Sequence, residues 1–234
     1  MNSHSLPCTV GRFEDFRFVT GQGCYTADLL PDNVLHAVFL RSHIARGRIL
    51  KISIDVAERA ADVVSVLTGR EAAQDGVENM VWTGAPVRDD GVLGSDSPRP
   101  LLNRSAIRHL GEPVCMVVAK TRQAALDAME LVDVSYDADD AIALKIDDLQ
   151  GPIVWPGSAD NIAALHRIGD KAVVDAALAA AVRIVRLDFD VSKVTACSIE
   201  MRSALGSIDN QGKLCLTTSA QSPHALHKEL IELF

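Results

Sequence analysis

The sequence predicts an α+β fold, and three observations carry that expectation. The 234 residues have an ordinary globular balance, 48% hydrophobic and 23% charged, with two Trp, two Tyr and six Phe. Strand-like runs recur from Val34 to Thr218, and short amphipathic helical stretches fall between them. A chain of this length buries most of the apolar surface that its unfolded form exposes, so folding needs neither a disulfide framework nor a metal. Length alone allows one large domain or two small ones.

Taken in order, the polar start from Met1 to Cys8 reads as a loose leader. Val34–Leu40 is mostly apolar, and Arg48–Ile54 nearly alternates, so both read as strands. Asp55–Ala61 predicts a short helix with Asp55 as N-cap and Glu58 at the capping-box spacing. Val63–Leu67 is another strand. Arg88–Pro100, rich in Gly, Pro and Asp, is expected to be an exposed loop. Val114–Ala119 then reads as a buried strand, and Thr121–Leu131 as a helix with a stripe of Ala124, Ala125, Ala128, Met129 and Val132. Val132–Tyr136 alternates again. The spacing suits a β-α-β unit, which predicts parallel strands joined by a right-handed crossover.

From Asp137 to Pro156 the acids Asp137, Asp139, Asp140, Asp147 and Asp148 outnumber Lys145, and the stretch reads as a solvated linker rather than a carboxylate metal site. Asp170 is placed to cap a helix over Lys171–Ala181. Ile184–Val191 alternates strictly, predicting a strand, and Lys213–Thr218 is a strand entered through an Asp209–Gly212 turn. Ser222-Pro223 has the form of a helix start, with a capping hydroxyl before a first-position proline. The helix runs to Phe234, where Leu226, Leu230, Leu233 and Phe234 need a surface to pack on. That end is expected to be cut from a longer polypeptide or docked on a partner.

Charge and cysteine usage exclude several function classes. A net charge of −8 opposes binding to nucleic acid or anionic lipid, and the one basic cluster (Arg41, Arg46, Arg48 and Lys51) has no aromatic interleaved. The longest apolar run, Ala176–Val182, is seven residues. A membrane helix needs about 20, so no span or secretory signal is expected. Cys8, Cys24, Cys115, Cys197 and Cys215 form no C-x-x-C pair, which predicts reduced, mostly buried thiols in a cytoplasmic protein.

Spacing alone reveals no active site. His224 and His227 lie at i, i+3 on one helix, a spacing a metal can use, but no further ligand is apparent. Glu200 and Arg202 read as either catalytic groups or a structural ion pair or hydrogen-bond anchor. There is no G-x-G-x-x-G, no P-loop and no G-x-S-x-G.

An ordered set of segments is more informative. Arg12-Phe-Glu-Asp15, Thr20–Asp28, Leu35–His43 and Arg99-Pro-Leu-Leu102 come first. Gly111-Glu-Pro-Val114, the unit ending at Tyr136, Asn161, Gly169-Asp170, Glu200-Met-Arg202 and Thr218–His224 follow. Over roughly Arg12 to Phe234 the chain resembles the N-terminal part of the molybdenum-binding large subunit of the xanthine dehydrogenase and aldehyde oxidase family, in the style of carbon monoxide dehydrogenase large chains.

The resemblance implies a leader at 1–17, an α/β hammerhead domain at 18–136, an acidic linker at 137–160 and the beginning of a molybdenum-binding domain at 161–234. It implies a role for Gln221, whose family counterpart hydrogen-bonds an oxygen ligand of the molybdenum centre; an amide suits this because it donates without titrating. The alternative for Gln221 is a strand-end amide capping the next helix. The family's Glu-Pro-Arg stands here as Glu200-Met201-Arg202, and an expected arginine aligns with Lys193. The family's Phe-Gly loop and its catalytic glutamate, which deprotonates the metal-bound hydroxyl, have no counterpart before Phe234. The chain is therefore expected to be a truncated or split piece of a molybdenum hydroxylase, inactive alone and holding no catalytic residue. The molybdopterin, in its cytosine dinucleotide form, would bind the complete enzyme. The remainder of the large chain, an iron-sulfur subunit and an FAD subunit are the implied partners, and aldehydes or N-heteroaromatics the substrates. The rival expectation is an inactive interaction module derived from such an enzyme.

Overall fold

The computed structural model describes residues 11–80, 88–92, 98–140, 151–189, 191–192 and 194–234. In chain order they form α1 (Asp15–Val19), a short 3-10 turn (Thr26–Asp28), β1 (His36–Arg41), β2 (Gly47–Ser53), α2 (Asp55–Glu58), β3 (Val63–Thr68) and α3 (Gly69–Gln74). Then come β4 (Asn79–Met80), β5 (Arg99–Pro100), β6 (Ala106–Ile107), β7 (Pro113–Ala119), α4 (Arg122–Glu130) and β8 (Asp133–Ala138). The last elements are α5 (Lys171–Ala180), β9 (Ala204–Ile208), β10 (Leu214–Thr218) and α6 (Pro223–Leu233). This is the α+β class that the sequence predicts. Two compact units result, Met1–Asp32 with Ser192–Gln221, and Asn33–Val191 with Ser222–Phe234.

In the larger unit β7 is the middle strand of a sheet ordered β1-β7-β3, antiparallel to both neighbours. Its alternation sets Cys115, Val117 and Ala119 in one cluster with no exposed surface. Ala125 and Ala128 of α4 complete that cluster with Ala57, Val66 and Val132. Alanines on the buried stripe let the helix approach the sheet closely. The Thr121 hydroxyl caps α4 by accepting from the Ala124 amide at 3.1 Å. Burial pushes the Cys115 thiol up to about 12, so it stays protonated and inert.

The strand after α4 departs from the predicted parallel unit. β8 lies in a different sheet, ordered β6-β2-β8, and pairs antiparallel with β2. Both edges of β7 are already hydrogen-bonded, so no ladder remains for a third partner. The edge of β2 is open, and there Tyr136 faces Ile49 and Val134 faces Ile52.

Other local expectations also change. The N-cap of α2 is Ile54, and Asp55 is its first helical residue. A capping box instead opens α3: the Thr68 hydroxyl accepts from the Arg70 amide at 3.2 Å while Glu71 accepts from the Thr68 amide at 2.9 Å. Ser222 caps α6 without a side-chain hydrogen bond. Residues 183–189 form no strand, because Val185, Leu187 and Phe189 are exposed and, among the described residues, no neighbouring edge pairs with them. Asp137 belongs to β8 and bonds Arg48 at 2.5 Å, and Arg46 lies 3.8 Å from Asp139. The basic cluster is thus partly neutralised by the first acids of the expected linker. Residues 141–150 lie outside the described set. The expected loop at Arg88–Pro100 begins with an arginine side chain only 3% exposed, and ends in β5, which pairs with β4.

Cys24, Cys197 and Cys215 are exposed rather than buried. For Cys215 the reason is that, among the described residues, β10 pairs only with β9 and buries nothing. Cys8 is outside the described residues.

Val117→Ala should cost about 2–3 kcal/mol, since a fully buried side chain at the centre of the cluster is removed. Val182→Ala, at a fully exposed position, should change stability by less than about 0.5 kcal/mol. Urea midpoints of the two variants check this, and equal shifts would contradict the assignment of the core.

Candidate functional site

The segment that carries Gln221 is built on the β9–β10 hairpin. Asp209 shapes its turn, its carboxylate accepting from the amides of Gln211 (2.8 Å) and Lys213 (2.9 Å), and Gly212 supplies the positive φ of 79°. At the open end, the Thr218 hydroxyl donates to the Ser203 carbonyl at 2.7 Å, and the Ser219 hydroxyl donates to the Glu200 carboxylate at 2.9 Å. Two segments about 20 residues apart in sequence, Glu200–Arg202 and Thr218–Gln221, are thereby tied together.

The partner of Glu200 is therefore Ser219 rather than Arg202, and Arg202 and Met201 are exposed. Gln221 follows the hairpin with an exposed side chain that makes no hydrogen bond among the described residues. The helix-capping alternative would require such a bond to α6. A free primary amide beyond a pinned strand end can both donate and accept at fixed protonation, which fits a contact to a polar oxo or phosphate-like group. Lys193 is outside the described residues.

Other residues singled out by sequence serve structure. The Asn161 amide accepts from the Val154 amide at 2.9 Å and donates to the carbonyls of Gly151 (3.3 Å) and Pro152 (3.0 Å), closing one loop. Glu112 is buried and accepts from the Arg108 amide at 2.9 Å. His224 and His227 are exposed in α6, and among the described residues no group of three or more potential ligands gathers anywhere. α6 lies against β4, with Leu226, Leu230 and Leu233 half-buried and Phe234 72% exposed.

Comparison with known proteins decides the lineage. Residues 20–140 match the model of the aldehyde oxidase and xanthine dehydrogenase a/b hammerhead domain. The chain belongs to the aldehyde oxidase and xanthine dehydrogenase family. Residues 154–234 match the molybdopterin cofactor-binding domain, which follows directly. Among curated relatives, the nicotine 6-hydroxylase large subunit of Paenarthrobacter nicotinovorans is 32% identical over 96% of this chain. The carbon monoxide dehydrogenase large chain of Hydrogenophaga pseudoflava is 28% identical over 91%. Quinoline 2-oxidoreductase from Pseudomonas putida 86 superimposes with a TM-score of 0.83 and 29% identity, covering 96% of this chain and 28% of that one. The chain spans 27% of the length of both curated relatives. The relatives are oxidoreductases of the molybdenum hydroxylase family, and several of them are named as large chains or subunits of complexes. Among the described residues no helix is long and apolar enough to cross a membrane.

Beyond Arg167, the portion matched to the cofactor-binding domain has little to hold it rigid among the described residues: α5 and α6 bury no residue, and Val173, Ile208 and Leu214 are all more than 60% exposed. Short helices without tertiary packing are marginal. In the isolated chain, amides of His224–Phe234 should exchange with deuterium at least about a hundredfold faster than those of Val114–Ala119. Equal protection in a proven monomer would contradict this.

Proposed function

We propose that this chain is the N-terminal part of the large subunit of a molybdenum hydroxylase that oxidises aldehydes, N-heteroaromatics or similar small molecules. The observation that carries the proposal is the order of the two family matches, a hammerhead domain followed at once by the start of a molybdopterin-binding domain. On this reading residues 1–17 are a leader, 18–136 the hammerhead domain, and 161–234 the opening of the cofactor-binding domain. Exposed free thiols at Cys24, Cys197 and Cys215 support a cytoplasmic setting.

Gln221 would hold the cofactor from this chain. The Ser219–Glu200 and Thr218–Ser203 bonds tie the strand end from which its amide projects, and packing of the remaining family segments would complete the ordering of that amide. A molybdopterin, in the cytosine dinucleotide form, held in part by Gln221, would supply the oxygen-transfer and electron-accepting chemistry. This chain would contribute an orienting hydrogen bond through Gln221. The general base, a glutamate, and the Phe-Gly loop come from the remainder of the large chain, and iron-sulfur and FAD subunits carry the electrons away. A second reading, an inactive interaction module, draws on Met201, which stands where the family has proline.

One co-expression experiment separates the readings, in a host that makes the cofactor. The chain is purified alone, and in complex with a chain supplying the remaining family segments and with the two electron-transfer subunits. We expect no molybdenum in the isolated chain, stoichiometric molybdenum in the complex, and about a 10–100-fold loss of kcat in Gln221→Ala with molybdenum retained. Stoichiometric molybdenum in the isolated chain would overturn the proposal. A complex that assembles without molybdenum would favour the interaction module.

A further inference from the structure

Arg88 is a buried cation whose guanidinium makes four hydrogen bonds. Its Nε and Nη2 donate to Asp90 at 3.1 and 2.6 Å, and its Nη1 donates to Asp160 at 2.6 Å and to the Ile162 carbonyl at 3.0 Å. Its side chain is 3% exposed. Such burial is tolerated only when the planar fork is matched by acceptors on every side, as here. The neighbouring residue extends the joint: the Asp89 amide donates to the Leu165 carbonyl at 3.0 Å, and its carboxylate accepts from the Arg167 amide at 2.5 Å. Arg88 and Leu165 form a parallel bridge.

A second arginine grips the same segment from another element. The Arg108 guanidinium, just beyond β6, stacks over Trp155 at 3.9 Å from the ring centroid. Between the two grips, Asn161 and the Asp160–Ile162 turn (2.9 Å) hold the segment in one shape. Past Arg167 these ties stop. Ile168 is 90% exposed, Gly169 adopts φ +97°, and α5 buries no residue.

We propose that residues 151–167 are a strap fastened to the hammerhead body by Arg88 and Arg108, and that the joint at which the cofactor-binding region leaves that body lies at Ile168–Asp170. The start of the region matched to the molybdopterin-binding domain is then mechanically part of the hammerhead body. The first fourteen residues of that match, 154–167, move with β6 and the Arg88 loop, and freedom to reorient begins after them. The Arg88 hydrogen bond, opposed by desolvation, holds the Asp90 carboxyl at about 2, and Arg88 likewise lowers Asp160, so the clamp stays charged throughout the neutral range.

Hydrogen exchange on the full chain tests this, with Arg88→Ala, Arg88→Lys and Asp160→Asn beside the wild type. In the wild type, amides of Asp89, Ile162 and Arg167 should exchange about tenfold or more slowly than those of Lys171–Ala180. Arg88→Ala should erase that difference while Val114–Ala119 stays protected, and lysine should not rescue it, because one ammonium cannot bridge two carboxylates and a carbonyl. Asp160→Asn should act in the same direction, and the double variant should lose no more than Arg88→Ala alone. Should Arg88→Ala unfold the core, non-specific proteolysis of the wild type decides. Within 151–180, first cuts at 168–170 support the strap. First cuts within 154–165, or strap amides as labile as those of α5 in the wild type, overturn it.

Discussion

Strand β7 has no free edge, and its inward residues Cys115, Val117 and Ala119 have no exposed surface. From that constraint much of the larger unit follows. With β1 and β3 on its two sides, the chain leaving β7 cannot return beside it, so α4 folds back over the cluster and delivers β8 to the second sheet. The small residues of α4 are the sequence's answer to this geometry, since a bulkier stripe would lift the helix off strands already packed edge to edge.

The contrast with the later part of the chain is one of completeness. The hammerhead portion closes a core with its own residues. Beyond Arg167, α5, β9, β10 and α6 form where their caps and turns direct, at Asp170, Asp209 and Pro223, yet bury no residue. Local signals are sufficient to start a helix or a hairpin, but only a covering layer makes it stable. The strap of residues 151–167 lies between these regimes, ordered by two arginines rather than by apolar burial.

What the sequence made legible follows the same division. Signals confined to a few residues were readable: Asp170 as a cap, the Asp209–Gly212 turn, and the alanine stripe of α4. Signals that depend on a partner far away were not. The parallel β-α-β expectation failed because spacing cannot report that both edges of β7 are taken. The strand expected at Ile184–Val191 failed because alternation describes a surface, not the presence of a neighbour. Arg88 and Asp160 are 72 residues apart, and no local pattern announces a clamp between them. Of the candidate site, the ordered segments nominated Gln221, whereas the Ser219–Glu200 tie at its strand end became visible only in three dimensions.

The central claim is that this chain has a self-sufficient hammerhead core and a cofactor-side portion that the rest of a large subunit completes. Hydrogen exchange measured with and without a chain supplying the remaining segments addresses both halves at once. Protection across β9, β10 and α6 should rise by at least about a hundredfold in the complex, with β7 already protected beforehand and unchanged by it. A complex that leaves β9, β10 and α6 as labile as before, or a β7 that becomes protected only on assembly, would contradict the account.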